Sequence, residues 1–266
     1  MIRRLLVVLL FAMPLFAHEG LHEQIVELTR QLVKDPDNAA LHLKRGELHR
    51  LHGAWDFAAS DYDRAEQLDA KLDAVQLARG MMLFDSGRAI AAVAPLRRYV
   101  AAHPDDPRGH TALGRVLVKS GRPAEGAVEL AMVLERSPDP DLALERAAAL
   151  VEAKQPDAAV RGLDAMMQRL GVIVTLQLGA IEIETNAGHY DAALQRIDAV
   201  ALTSIRKETW LARRGDVLVK AGRPADAQRA YEAALTAIAT LPETRRRTRA
   251  VTELERTLQQ QLATLR

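Results

Sequence analysis

His18-Glu19-Gly20-Leu21-His22 is the one stretch of this chain whose residue types and spacing match a catalytic pattern. On a helix, two histidines four apart share a face and can bind zinc, and the glutamate beside them can act as a general base. Hydrolysis at such a site needs a third ligand, a buried helix and a cleft for substrate. The sequence offers no third ligand at a recognisable spacing. A second possibility is metal binding without catalysis, because His18, His22, His42, His49 and His52 all lie close together in the chain and neutral imidazole is a common ligand. A third group is basic: Arg245, Arg246, Arg247 and Arg249. These suit a solvated helix start, or contact with an anion or partner. No glycine-rich phosphate loop, nucleophile elbow or paired-carboxylate constellation is present. No catalytic residue, cofactor or metal ligand is assigned.

Composition narrows the classes further. Among 266 residues, 48% are apolar and only 4% aromatic. Alanine, leucine and valine dominate, which suits close packing of helices. Lysine plus arginine number 36 against 35 acids, a formal charge of +1, so there is no basic footprint for nucleic acid. The absence of cysteine excludes disulfides and thiolate metal sites.

The N-terminus reads as a secretory signal. Met1-Ile2-Arg3-Arg4 is basic, Leu5 to Phe16 is apolar and interrupted by Pro14, and Ala17 precedes His18. Cleavage after Ala17 is expected, since the run is too short to span a bilayer. The mature chain would lack a membrane span and reside outside the cytoplasm, in the periplasm.

The elements that must position any site are set by a ruler of glycines. Gly53, Gly87, Gly121, Gly188 and Gly222 are 34, 34, 67 and 34 residues apart. Gly46, Gly80, Gly114 and Gly215 lie seven residues before four of them. Val116–Ala124 and Val217–Ala225 match at eight of nine positions. A period of 34 marks stacked helix–turn–helix units. The expected organisation is a signal at 1–17, a cap helix at 18–38, and six repeats over 39–242 starting at 39, 73, 107, 141, 174 and 208. A capping helix follows at 243–266. In each repeat one glycine ends the first helix in a left-handed conformation. The other lets the second helix approach, with Ala58, Ala92, Gly126, Ala159, Ala193 and Ala227 as its small partners. Four residues beyond these come Tyr62, Leu96, Leu130, Leu163, Ile197 and Tyr231. Ala148 and Ile181 are read as replacing the close-approach glycine in repeats four and five, and the turn at Gln155-Pro156 as shortened.

At these residues the chain resembles the tetratricopeptide repeat family. His110-x-x-Leu113-Gly114-x-x-Leu117, Ala58-x-x-x-Tyr62 with Ala65, and Ala227-x-x-x-Tyr231 with Ala234 carry the resemblance. It implies an all-α, right-handed superhelical solenoid whose first helices line a concave face. It also implies a non-catalytic scaffold that binds another protein or a peptide there. The positions implied are Leu77, Met81 and Phe84 as an apolar patch, Arg108, Arg115 and Lys119 as a basic one, and Glu145, Glu152 and Glu182 as an acidic one. The family's Lys/Asn carboxylate clamp is missing at these positions. A periplasmic metal-handling protein using the N-terminal histidines is the alternative.

Overall fold

The computed structural model describes residues 13–265, with side chains from residue 20 onward. The basic and apolar parts of the expected signal lie largely outside the described residues, as do the side chains of His18 and Glu19. Among the described residues there are 15 helices and no strand.

Twelve of the helices form six hairpins. The first three are α2 (Ala39–Leu51) with α3 (Trp55–Leu68), α4 (Ala74–Asp85) with α5 (Ala89–Ala102), and α6 (Pro107–Lys119) with α7 (Pro123–Arg136). The next three are α8 (Pro140–Glu152) with α9 (Pro156–Leu170), α10 (Val174–Asn186) with α11 (Tyr190–Thr203), and α12 (Lys207–Lys220) with α13 (Pro224–Ala239). α1 (Met13–Lys34) precedes them, and α14 (Glu243–Arg246) and α15 (Arg249–Thr264) follow. The chain divides into two compact units, one ending at Arg136 and one beginning at Ser137.

Every hairpin turns in the same way. Gly53, Gly87, Gly121, Gly188 and Gly222 have φ of 76°, 79°, 77°, 80° and 69°. In each case the next residue's N–H reaches the carbonyl five residues back, as from Ala54 to His49 at 2.8 Å and from Arg223 to Leu218 at 2.9 Å. This Schellman arrangement satisfies carbonyls that the helix end would leave orphaned. In the fourth hairpin Lys154 takes the left-handed position, at φ 63°, and Gln155 N–H bonds to Leu150 O at 2.8 Å. The turn before Pro156 is therefore of full length, not shortened.

Lys154 also relocates the missing residue. Seven positions before it stands Ala147, which is buried, whereas Ala148 is exposed. Ala147, not Ala148, occupies the glycine's place. Gly114 to Ala147 is 33 residues, and the spacing is 34 on either side. The residue has been lost between the third and fourth hairpins, where only Ser137, Pro138 and Asp139 separate α7 from α8. That is the boundary between the two units.

The close-approach glycines do what their recurrence implied. A Cβ placed on Gly46 would lie 2.6 Å from Tyr62, one on Gly80 2.4 Å from Leu96, and one on Gly215 2.2 Å from Tyr231. On Gly114 it would lie 2.8 Å from Leu130 and 3.1 Å from the carbonyl of Gly126. Tyr62, Leu96, Leu130 and Tyr231 are fully buried. Each of these four hairpins thus seats one large side chain of its second helix on the bare backbone of its first. At the ends, α1 buries Leu28 and Leu32, and α15 packs Val251 and Leu258 onto the core of the second unit.

Candidate functional site

In the first unit the opening helices of three hairpins, α2, α4 and α6, line a cavity of about 530 Å³. Its floor is apolar. Leu77 from α4 is buried, and Leu96 and Val116 close the floor from α5 and α6. Met81 and Phe84 are half-buried, packing on the same cluster while facing the cavity. Arg108, Thr111 and Arg115 from α6 and Glu47, Arg50 and Asp85 from α2 and α4 complete the wall.

The polar wall is held by ion pairs. The Arg50 guanidinium bonds to the Asp85 carboxylate, tying α2 to α4. The Nε of Arg50 is buried and has no hydrogen-bond partner. Arg108 donates from Nη2 to Asp106 Oδ2 at 2.7 Å and from Nε to Oδ1 at 3.1 Å. Asp106 also caps α6, accepting from Arg108 N–H at 2.9 Å, and receives the Tyr99 hydroxyl. The Arg108 guanidinium holds the Asp106 carboxyl well below the usual carboxylate range, against the opposing effect of burial, with help from Tyr99. Burial, and then the bond to Asp106, pushes the Tyr99 phenol up.

The structure therefore brings Leu77, Met81, Phe84, Arg108 and Arg115 to one cavity. Lys119, the last residue of α6, is exposed and outside its lining. Glu145, Glu152 and Glu182 are exposed on α8 and α10 of the second unit. Leu96 and Val116, read from the sequence as packing residues or not singled out, contribute to the floor. The Arg50–Asp85 pair, separated by 35 residues, joins the first helices of adjacent hairpins and was not read from the sequence.

Of the N-terminal histidines whose side chains are described, His42 and His49 are half-buried and His22 is exposed. His42 Nδ1 lies 3.0 Å from Asp61 Oδ1, and its Nε2 lies 3.0 Å from Pro36 O. Arg45 donates twice to the same carboxylate, at 2.9 and 2.7 Å. His49 is half-buried and stacks on Phe57, while His52 is exposed. Among the described residues no group of three or more His, Asp or Glu could hold a metal ion.

The second unit has its own buried charge. Arg196 on α11 donates to Glu184 Oε1 at 2.8 Å and to Asp164 Oδ1 at 2.6 Å, joining α9, α10 and α11. Burial opposes its charge, but the hydrogen bonds to Glu184 and Asp164 prevail and hold its basicity above normal.

Residues 139–255 match the tetratricopeptide repeat-like domain family. No curated protein matches the chain. Solved structures share the fold at low identity. A tetratricopeptide repeat protein from Parabacteroides merdae aligns at 16% identity and TM-score 0.53, over 92% of this chain and 94% of that one. A chain of Naa15/Naa10 bound to HypK-THB aligns at 14% and 0.62, over 94% of this chain and 37% of its own. PilF of Pseudomonas aeruginosa aligns at 21% and 0.53, over 70% and 85%. The described residues are thus all-helical, with the hairpin architecture of tetratricopeptide solenoids. No helix among the described residues is long and apolar enough to cross a membrane.

Proposed function

We propose that this protein is a non-catalytic scaffold of the cell envelope that holds a peptide or helix of another protein in the α2–α4–α6 cavity. The observation that carries this reading is the cavity itself: an apolar floor under Leu77, Met81 and Phe84, walled by Arg108, Arg115, Glu47 and the Arg50–Asp85 pair. A desolvated apolar anchor supplies most of the energy of such binding, and flanking charges fix register and direction. Solenoids use their concave faces for binding, and the Naa15/Naa10 structure bound to HypK-THB contains a chain of this fold. Export rests on Arg3-Arg4, the apolar run and Ala17; the protein recovered from its host should begin at or near His18 by mass spectrometry.

The test is selection from a displayed peptide library on the mature chain, followed by calorimetry. Phe84→Ala should weaken the selected peptides about ten-fold or more, and Arg115→Glu with Lys119→Glu should weaken them less, with helicity unchanged. Peptides that bind these variants like the parent would place the site elsewhere.

A further inference from the structure

We infer that the edge of the second unit carrying the α9–α10 and α11–α12 connections docks on an anionic lipid surface. Helices α9 to α12 run alternately up and down, so these two connections return to the same edge. They expose large aliphatic side chains: Val172 at 71%, Leu202 at 79% and Ile205 at 83%. Two of the three such connections in the first unit treat the same positions differently; before α4 stand the half-buried Leu72 and Asp73, again without a side-chain cap bond. Two residues before α2 and α6 stand Asp37 and Asp105, and these helices are capped by the side chains of Asn38 and Asp106. Before α10 and α12 the corresponding residues are Val172 and Ile205, and Ile173 and Arg206 stand at the caps without any side-chain cap bond. Helix-stabilising polar residues have been exchanged for exposed aliphatics at both places.

Charge surrounds this apolar edge. Both terminal nitrogens of Arg245 reach the carbonyl of Ile205 at 3.4 Å, which brings α14 and its arginines beside the connection. Arg206, Lys207, Arg246, Arg247 and Arg249 are exposed. Of the nearby acids, Glu208 is buried beneath Arg206 and Arg245, Glu243 is bound to Arg247 and Glu253 to Arg249, which leaves Arg206, Lys207 and Arg246 in excess. The rim is therefore cationic. Single aliphatic side chains protruding from helix junctions need apolar surroundings only a few ångströms deep, directly below a layer of anions. A bilayer interface provides that order, with acyl chains under phosphates, and anionic headgroups attract each exposed Lys or Arg.

The inference is independent of the groove reading and is tested without a protein partner. The full mature chain is sedimented with phosphatidylcholine vesicles, with and without phosphatidylglycerol. Binding is expected only with phosphatidylglycerol and should weaken as salt is raised. The Leu202→Ser, Ile205→Ser double variant should bind about ten-fold less, as should Arg246→Glu with Arg247→Glu. Ile90→Ser, at an equally exposed aliphatic of the first unit (81%), should bind as the parent does. Circular dichroism checks that helicity is retained. The proposal is overturned if no vesicle is bound, if both lipid mixtures are bound equally, or if Ile90→Ser weakens binding as much as the doubles. It also falls if the Leu202 and Ile205 changes alter only the oligomeric state in ultracentrifugation, since the edge would then contact a second copy.

Discussion

In the α6–α7 hairpin of the first unit, Leu130 rests on the bare backbone of Gly114, and the carbonyl of Gly126 lies 3.1 Å from where a Cβ would stand. In the α10–α11 hairpin of the second unit the equivalent of Gly114 is Ile181, fully buried, and Arg196 spans from α11 to Glu184 and Asp164. The two hairpins share length and turn geometry, and α6–α7 also carries a polar link from His110 to Glu129, but they differ at this contact. The first depends on steric fit, which tolerates no added atom. The second depends on buried charge, which tolerates no missing partner. The repeat pattern fixes where helices begin and turn, and leaves open how each pair is joined.

The contrast breaks most clearly at Arg196. Arg196→Met would leave the Glu184 carboxylate buried without its guanidinium, a loss of about 3–5 kcal/mol, read by denaturant unfolding. A loss below about 1 kcal/mol would show that the pairs are incidental. Gly114→Leu should cost about 1–3 kcal/mol through overpacking. Because a solenoid's interfaces are nearest-neighbour, hydrogen exchange should localise that loss to α6 and α7. An unchanged midpoint would mean that the close contact is not limiting. Asp106→Ala should cost about 1 kcal/mol through the lost cap of α6. Its carboxyl is held low in the fold, so the stability it contributes is present above the ordinary aspartate range and is lost as pH falls below about 4. Asp106→Asn should flatten the acid limb of the stability profile, and an unaltered limb would assign it to other carboxylates. Lys154→Gly should make the second unit more stable, by about 1 kcal/mol, by relieving a left-handed non-glycine residue. A fall in melting temperature would show that the lysine side chain has a compensating role.

The fold class was legible because left-handed turns and close backbone contacts both favour glycine, and five turn glycines and four contact glycines mark the register. The fourth hairpin was read one residue out. Its turn uses Lys154, which carries no such mark, and its contact residue sits within Ala147-Ala148-Ala149, where a shift of one leaves the apolar pattern intact. The residues facing the cavity were legible on α4 and α6 because each repeat presents the same positions. Lys119 was not, because it corresponds by period to Asp85, which reaches the cavity through Arg50; Lys119 lies one repeat further along. The exposed aliphatics at Val172 and Ile205 look like core in a sequence, and only their surface placement distinguishes them.

The near-identity of Val116–Ala124 and Val217–Ala225 has a consequence for how the chain reaches its native pairing. Two almost interchangeable turns in one polypeptide invite α6 to seat on α13 during folding, the kind of misassembly to which repeat proteins are prone. The large residues guard against it. Tyr231 donates its hydroxyl to Asp216 at 2.9 Å, and the position equivalent to Asp216 on α6 is Arg115, which offers no acceptor. Leu130, which fits Gly114, would in turn leave the space over Gly215 underfilled. Differences at Arg115 against Asp216 and Leu130 against Tyr231 thus give each turn an address.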